Sequence, residues 1–228
     1  MGNMGDQEMT DIEANYEEIR KSLPDHVMLV AAAKSRTAEE VAVAIRAGIT
    51  VVGHNYVQEA ERMIKALGNQ ATWHMVGHLQ KNKVKKAVHL FDMVETVDSW
   101  SLAEFMDRRC AAIGKIMPVL VEINSGREAS KTGVFPEEVD DLVRRLADLR
   151  HIHVEGLMTM GPRFGDPEDA RPYFRETKAA FDRLAAAGIS NVEMRYLSMG
   201  MSNSYEVAIE EGSNMVRIGT RLFGPRRG

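Results

Sequence analysis

Lys34 closes a run of six apolar residues, MLVAAAK over 28–34, and Ser35 and Arg36 follow at once. A lysine at the end of a buried strand can be partly desolvated, and its free amine can then attack an aldehyde to form a Schiff base. Taken alone, the position reads as a solvated lysine that starts a loop. Two segments far along the chain alter that balance. One runs Leu197-Ser198-Met199-Gly200-Met201-Ser202, with Asn203 and Glu206 spaced as a capping box; the other is Arg217-Ile218-Gly219-Thr220. The hydroxyls of Ser202 and Thr220, with backbone N–H groups exposed at Gly200 and Gly219, have the makings of a phosphate cradle at a helix N-terminus. Ordinary capping uses the same residue types, so the elements that carry them decide the matter.

Those elements alternate. Short segments rich in β-branched and apolar residues start at Val27, Thr50, Ala71, Phe91, Lys115, Ile152, Asn191 and Asn214. Their near-continuous apolar character suits strands buried on both faces, as in a parallel sheet. Helical patterns lie between them. Thr37 and Glu40 form a capping box before a helix that Gly48 ends, and Ser101 with Glu104 repeats the box. Asp166-Pro167 reads as an N-cap and first helical turn of a helix ended by Gly188, and Phe135-Pro136-Glu137-Glu138 opens another. About eight strand–helix units without a linker predict an α/β fold, a single-domain (β/α)8 TIM barrel over 26–228. An extra N-terminal helix within 1–25, amphipathic from Asp6 to Lys21, packs on it. A doubly wound open sheet would have fewer strands in this length. In such barrels the site forms at the C-terminal strand ends, with phosphate held after strands seven and eight. The two hydroxyl-bearing segments fall at those positions, which favours the phosphate reading. An aldehyde-reactive lysine beside a phosphate cradle suits two ligands, a sugar phosphate undergoing aldol chemistry or pyridoxal 5′-phosphate (PLP).

Composition narrows the classes. Among 228 residues, 29 Lys+Arg stand against 33 Asp+Glu, a net charge of −4 that gives no general pull toward nucleic acid or an anionic membrane. The basic cluster Lys81, Lys83, Lys85 and Lys86 reads as a solvated helix face. The single cysteine, Cys110, excludes an intramolecular disulfide and a Cys-based zinc cluster, and fits a reducing compartment. The acidic N-terminus has no apolar signal region, and no apolar stretch nears the ~20 residues that span a bilayer. The expectation is a cytoplasmic protein without nucleic-acid or membrane partners.

Several ordered motifs resemble the pyridoxal phosphate homeostasis protein family, PLP-binding barrels related to the alanine racemase N-terminal domain. They are AAAK ending at Lys34, GHNYVQE over 53–59, WHMVGHLQKNK over 73–83, EGLMTM over 155–160, LSMGMS over 197–202 and MVRIGTRLFG over 215–224. The resemblance runs from about Leu29 to Arg226. It implies that Lys34 bonds the cofactor aldehyde and that Ser202, Gly219 and Thr220 contact the phosphate, with Ser198 and Gly200 supporting the same loop. It sets Arg217 opposite the pyridine nitrogen and Asn55 beside the ring. Asn55 also reads as a helix N-cap with Gln58 three residues on. His74 reads as a packed, hydrogen-bonded histidine. Lys131 matches a family position and otherwise reads as a loop lysine. Two residues depart from the family pattern: His54 stands where Glu is common, and Ser204 where an acidic residue is common.

The resemblance implies a protein that holds PLP as a lysine aldimine and acts in intracellular PLP homeostasis or carriage, with apo PLP enzymes as recipients and no committed reaction. A guanidinium only donates, so an arginine opposite the pyridine nitrogen keeps that nitrogen unprotonated and weakens the electron sink. Alanine racemase shares this arginine but draws its second base from a separate β-domain of its partner subunit. The eight residues after Thr220 leave no room for that domain, which favours the carrier and, without the racemase interface, a monomer. The alternatives are a PLP-dependent amino-acid racemase, another fold-type III PLP enzyme of weak activity, and a Schiff-base aldolase.

Overall fold

A computed structural model describes residues 4–128, 131–161 and 165–225. Its eight strands are β1 Met28–Ala32, β2 Val51–His54, β3 Thr72–Met75, β4 Met93–Val97, β5 Met117–Ile123, β6 Ile152–Thr159, β7 Val192–Ser198 and β8 Met215–Ile218. They pair in chain order as a closed barrel, all parallel, with β8 returning to β1 through Met28↔Met215 and Val30↔Arg217. Each expected apolar segment holds one strand. Every residue of β2, β4 and β8 is buried, because helices cover the outer face and side chains fill the inner one.

The helices are α1 Met4–Ser22, α2 Ala38–Ala47, α3 Val57–Leu67, α4 Val84–Leu90, α5 Trp100–Ala111, α6 Val139–Leu146, α7 Arg171–Ala186, α8 Tyr205–Glu210 and α9 Thr220–Phe223. Helix α1 rests on α2 and α9. Its Ile12 and Ile19 are buried, and Asn15 Nδ2 donates to the Leu222 carbonyl at 3.1 Å.

Helix starts follow the local signals only in part. The Thr37–Glu40 box forms in both directions, and Gly48, at φ +128°, caps α2 through the carbonyls of Ala44 and Ile45. Asp166 accepts from the Glu168 N–H and opens a 3₁₀ turn, Pro167–Ala170, that runs into α7. The other boxes do not form. Helix α5 starts at Trp100 rather than after Ser101, and α6 starts at Val139, beyond the Phe135–Glu138 segment. Helix α3 is preceded by Tyr56 without a side-chain cap, so Asn55 is not its N-cap. Helix α8 begins at Tyr205 behind Ser204, which leaves Asn203 and Glu206 out of register for a box.

The barrel interior is tiered. Val30, Val51, Val76, Met93, Leu120, Met158 and Met215 form an apolar plug. Side chains alternate along a strand, so the residue two positions onward faces inward again, one tier nearer the C-terminal ends. There Met93, Leu120 and Met215 give way to Glu95, Glu122 and Arg217, all buried. The interior turns from oily to charged over one strand repeat.

Candidate functional site

A cavity of about 990 Å³ opens at the C-terminal ends of the strands, and its walls include Lys34, Asn55, Ser202, Arg217, Gly219 and Thr220. Six of the eight residues singled out in the sequence therefore share one space. Lys34 stands two residues past the end of β1, half-buried, with its Nζ 5.1 Å from the centre of the Tyr56 ring. Its loop is fastened to the segment that follows the last strand. The Arg36 guanidinium donates to the Phe223 carbonyl at 3.0 Å and to that of Gly224, and pairs with Glu40 at 3.2 Å.

Beside Lys34, the ends of β7 and β8 are stapled together. Ser202 Oγ accepts from the Gly219 N–H at 3.2 Å and the Arg221 N–H at 3.4 Å. Its own O–H donates to none of the described residues, so it is left to face the cavity. Ser202 therefore reads as a long-range clamp that still offers one donor.

Ser198 and Gly200 do not line the cavity. Gly200 packs: at φ +93°, a Cβ on it would lie 2.7 Å from Ala208 Cβ and 2.8 Å from Tyr205 Cα. Only glycine lets β7 turn into α8 so closely. Its carbonyl accepts from the Arg217 N–H at 3.1 Å, which ties the two strand ends together. Ser198 lies a tier below the cavity. Its hydroxyl donates to Glu95 Oε2 at 2.7 Å and accepts from Arg217 Nη1.

That hydroxyl belongs to a buried network at the cavity floor. Arg217 is 4% exposed, with Nη2 on the Thr159 carbonyl at 2.8 Å and Nη1 4.0 Å from Glu95. Burial works against its charge, and Glu95 and Glu122 support it. Glu95 also takes His74 Nδ1 at 2.7 Å, so His74 is the packed, hydrogen-bonded histidine expected. Burial alone would push the Glu95 carboxyl up. The hydrogen bond and charge of His74, then Arg217 and Ser198, outweigh it and hold the group below the usual carboxylate range.

Glu122 is the cavity's other acid, and it is treated differently. It is 3% exposed; Oε1 accepts from Thr132 Oγ1 at 2.9 Å, and buried Oε2 has no partner among the described residues. Burial raises its pKa to about 7, against the Thr132 hydrogen bond and helped by nearby Asp98. Neither acid was singled out in the sequence. The available signal was a lone carboxylate inside an apolar strand, two residues after an inward apolar one.

Lys131 also lines the cavity, its ammonium on Glu128, in a loop braced by Asn124 Nδ2 on the Glu128 carbonyl at 2.8 Å. His54 turns the other way, to the outer face of β2, stacked on Trp73 at 5.9 Å between ring centres. Ser204 is buried and its Oγ accepts from the Met201 N–H at 3.3 Å, a turn-forming role. In the basic cluster, Lys86 pairs with Glu61 at 2.8 Å on the surface. No described helix is long and apolar enough to cross a membrane.

Known proteins resemble this chain in sequence and fold. Residues 8–227 match the family described as alanine racemase, N-terminal domain. The chain is 40% identical over 200 residues to the pyridoxal phosphate homeostasis protein of Aquifex aeolicus, covering 87% of each chain. Against the Escherichia coli K12 protein of that name it is 34% identical over 237 residues, 96% of this chain and 98% of that one. PipY of Synechococcus elongatus, solved with PLP bound, superposes with a TM-score of 0.86 at 31% identity, over 93% of this chain and all of PipY. Alanine racemase from Clostridium difficile 630 shares the fold, with a TM-score of 0.77 at 18% identity, over 96% of this chain and 57% of the racemase. With a closed eight-stranded barrel and relatives matched over nearly their whole length, the chain belongs to the pyridoxal phosphate homeostasis proteins of the alanine racemase N-terminal domain family.

Proposed function

We propose that this chain binds PLP, holds it covalently through Lys34, and serves intracellular PLP homeostasis or carriage, with enzymes awaiting the cofactor as recipients. One observation carries the reading: Lys34, Ser202, Gly219 and Thr220 line one cavity, with Arg217 at its floor. PLP has an aldehyde, a phosphate and a pyridine nitrogen on one small ring, and this set of side chains meets each of them.

The residues fit the group chemically. The Ser202 O–H has no acceptor among the described residues, and Gly219 brings the backbone close because it lacks a side chain; a Cβ there would stand 3.2 Å from the Ala32 carbonyl. Arg217 uses only part of its N–H fork on Ser198 and Thr159, which leaves donors for a ring nitrogen. When bound, PLP supplies an aldehyde carbon that condenses with a primary amine and loses water. Lys34 supplies that amine, and Asn55 borders the ring. An arginine, which stays charged, never protonates the pyridine, so the electron withdrawal that drives carbanion chemistry stays weak. That favours holding the cofactor over turning a substrate over.

The test is an absorption spectrum of the protein with PLP before and after borohydride, followed by peptide mapping. We expect a yellow protein that bleaches without added substrate, with the label on Lys34. Lys34→Ala should lose the colour, and Ser202→Ala should bind PLP about ten-fold more weakly, the loss of one charge-assisted hydrogen bond. A label on Lys131 rather than Lys34 in the unmodified sequence would overturn the assignment.

A further inference from the structure

Helix α9 is four residues long, Thr220–Phe223, and with Gly219 before it carries two of the residues proposed to meet the phosphate. So short a helix has no stability of its own. Its backbone closes on itself through the Leu222 and Phe223 N–H groups, both on the Gly219 carbonyl, at 3.1 and 2.9 Å. The later carbonyls have no helical partner. Side chains from the start of the sequence take them. Asn15 Nδ2, on α1, donates to the Leu222 carbonyl at 3.1 Å, and Arg36 donates to that of Phe223 at 3.0 Å and to that of Gly224.

Helix α1 also reaches α8. The Ser22 and Tyr205 hydroxyls are hydrogen-bonded at 2.9 Å, and Tyr205, the first residue of α8, is buried. Arg221 joins the three helices: its guanidinium lies 3.2 Å from Glu18 of α1 and 3.5 Å from Glu206 of α8, over the Tyr205 ring. The backbone N–H of that same Arg221 is one of the two that Ser202 clamps. Helix α1 therefore backs both elements that follow β7 and β8. Its contacts are not equal. Glu18 is 71% exposed, and an ion pair so open to water contributes little. Asn15 is presented from a helix anchored by buried Ile12 and Ile19, and losing it takes the donor from the carbonyl of Leu222, a wholly buried residue. Asn15 does not line the cavity, so it acts through α9 and not on the ligand.

We propose that Asn15 is a positioning residue for phosphate recognition. By fixing the Leu222 carbonyl it sets where Gly219 and Thr220 stand relative to Ser202, and so lets the cavity tell PLP from unphosphorylated pyridoxal. The proposal rests on the proposed function, in which those three residues contact the phosphate.

Absorbance titrations with PLP and with pyridoxal, which has the same ring and aldehyde but no phosphate, separate positioning from folding. Asn15→Leu should bind PLP about five-fold more weakly and pyridoxal within about two-fold of the unmodified protein. Leu149→Ala empties a buried site just before β6, at the opposite end of the strands. It should lower the melting temperature and leave the ratio of PLP to pyridoxal affinity unchanged. An unchanged ratio in Asn15→Leu, or an equal fall in Leu149→Ala, would overturn the role. By linkage, a phosphate that settles α9 also steadies α1. Amide exchange over 12–22 of the unmodified protein should therefore slow more with saturating PLP than with saturating pyridoxal. Equal slowing overturns the proposal even if Asn15→Leu does not fold. A failure of the proposed function shows earlier and elsewhere, as an unmodified protein that binds pyridoxal as tightly as PLP.

Discussion

Glu95 and Glu122 sit on adjacent strands, each two residues beyond an apolar residue of the plug, each at most 3% exposed. Glu95 has both oxygens engaged, by His74 and Ser198, with Arg217 at 4.0 Å. Glu122 has one oxygen on Thr132 and the other on nothing described. The same side chain in the same tier is thus held ionised in one place and pushed up to about 7 in the other. Burial does not decide what a carboxylate is for; the completeness of its hydrogen bonding does. A completed acid fixes its neighbours, here the guanidinium that floors the cavity. An incomplete one holds its proton to higher pH.

Breaking the completed network should have the largest effect. Glu95→Gln keeps the shape but removes the counter-charge at Arg217, leaving a buried cation short of its partner. The expected cost is about 3–5 kcal/mol of folding stability, read as a lower denaturant midpoint at pH 7. A loss no greater than that of an ordinary surface substitution would erase the distinction between the two acids.

Glu122→Gln should act in the opposite direction. Its folded pKa, about 7, lies above the ordinary 4.5, so ionisation opposes folding as pH rises from 4.5 through 7. The neutral amide escapes that penalty while keeping an acceptor for Thr132. The variant should exceed the unmodified protein by about 3 kcal/mol at pH 7.5, and the gap should close by pH 4.5. Parallel denaturation curves at the two pH values measure it. A gap that is constant with pH would show that Glu122 already has a partner.

The contrast between these acids was not legible in the sequence, whereas the barrel was. Strands buried on both faces write themselves as apolar runs, so all eight segments could be found, and Lys34 could be located at a strand end. The Thr37–Glu40 box was readable because its partners are three residues apart. The clamp that Ser202 makes was not readable, because its partners, Gly219 and Arg221, come from 17 and 19 residues away. The resemblance set Ser198 and Gly200 beside it as supports of the same loop. The strand's alternation and the close pass of α8 turn one into part of the floor network and the other into a packing joint. A lone Glu in VMLV-like surroundings looks alike in ETV and EIN; what separates Glu95 from Glu122 is supplied by β3, β7 and β8, which only the closed barrel brings near.

His54 offers a mirror image on the outer face of β2. It is fully buried, neither ring nitrogen has a partner among the described residues, and burial lowers its pKa from 6.5 to about 4. For a base, desolvation disfavours the protonated form, so the sign of the linkage reverses from that of Glu122. As pH falls below 6.5 the unfolded chain takes up a proton that the folded histidine refuses, and stability is lost until about pH 4. The expected loss is about 1 kcal/mol by pH 5.5. His54→Leu keeps an apolar contact with Trp73 and has nothing to titrate, so its melting temperature should fall less between pH 7 and 5.5 than that of the unmodified protein. Equal falls would mean that His54 gains a hydrogen-bond partner in solution, and that a missing partner does not by itself move the titration of a buried group.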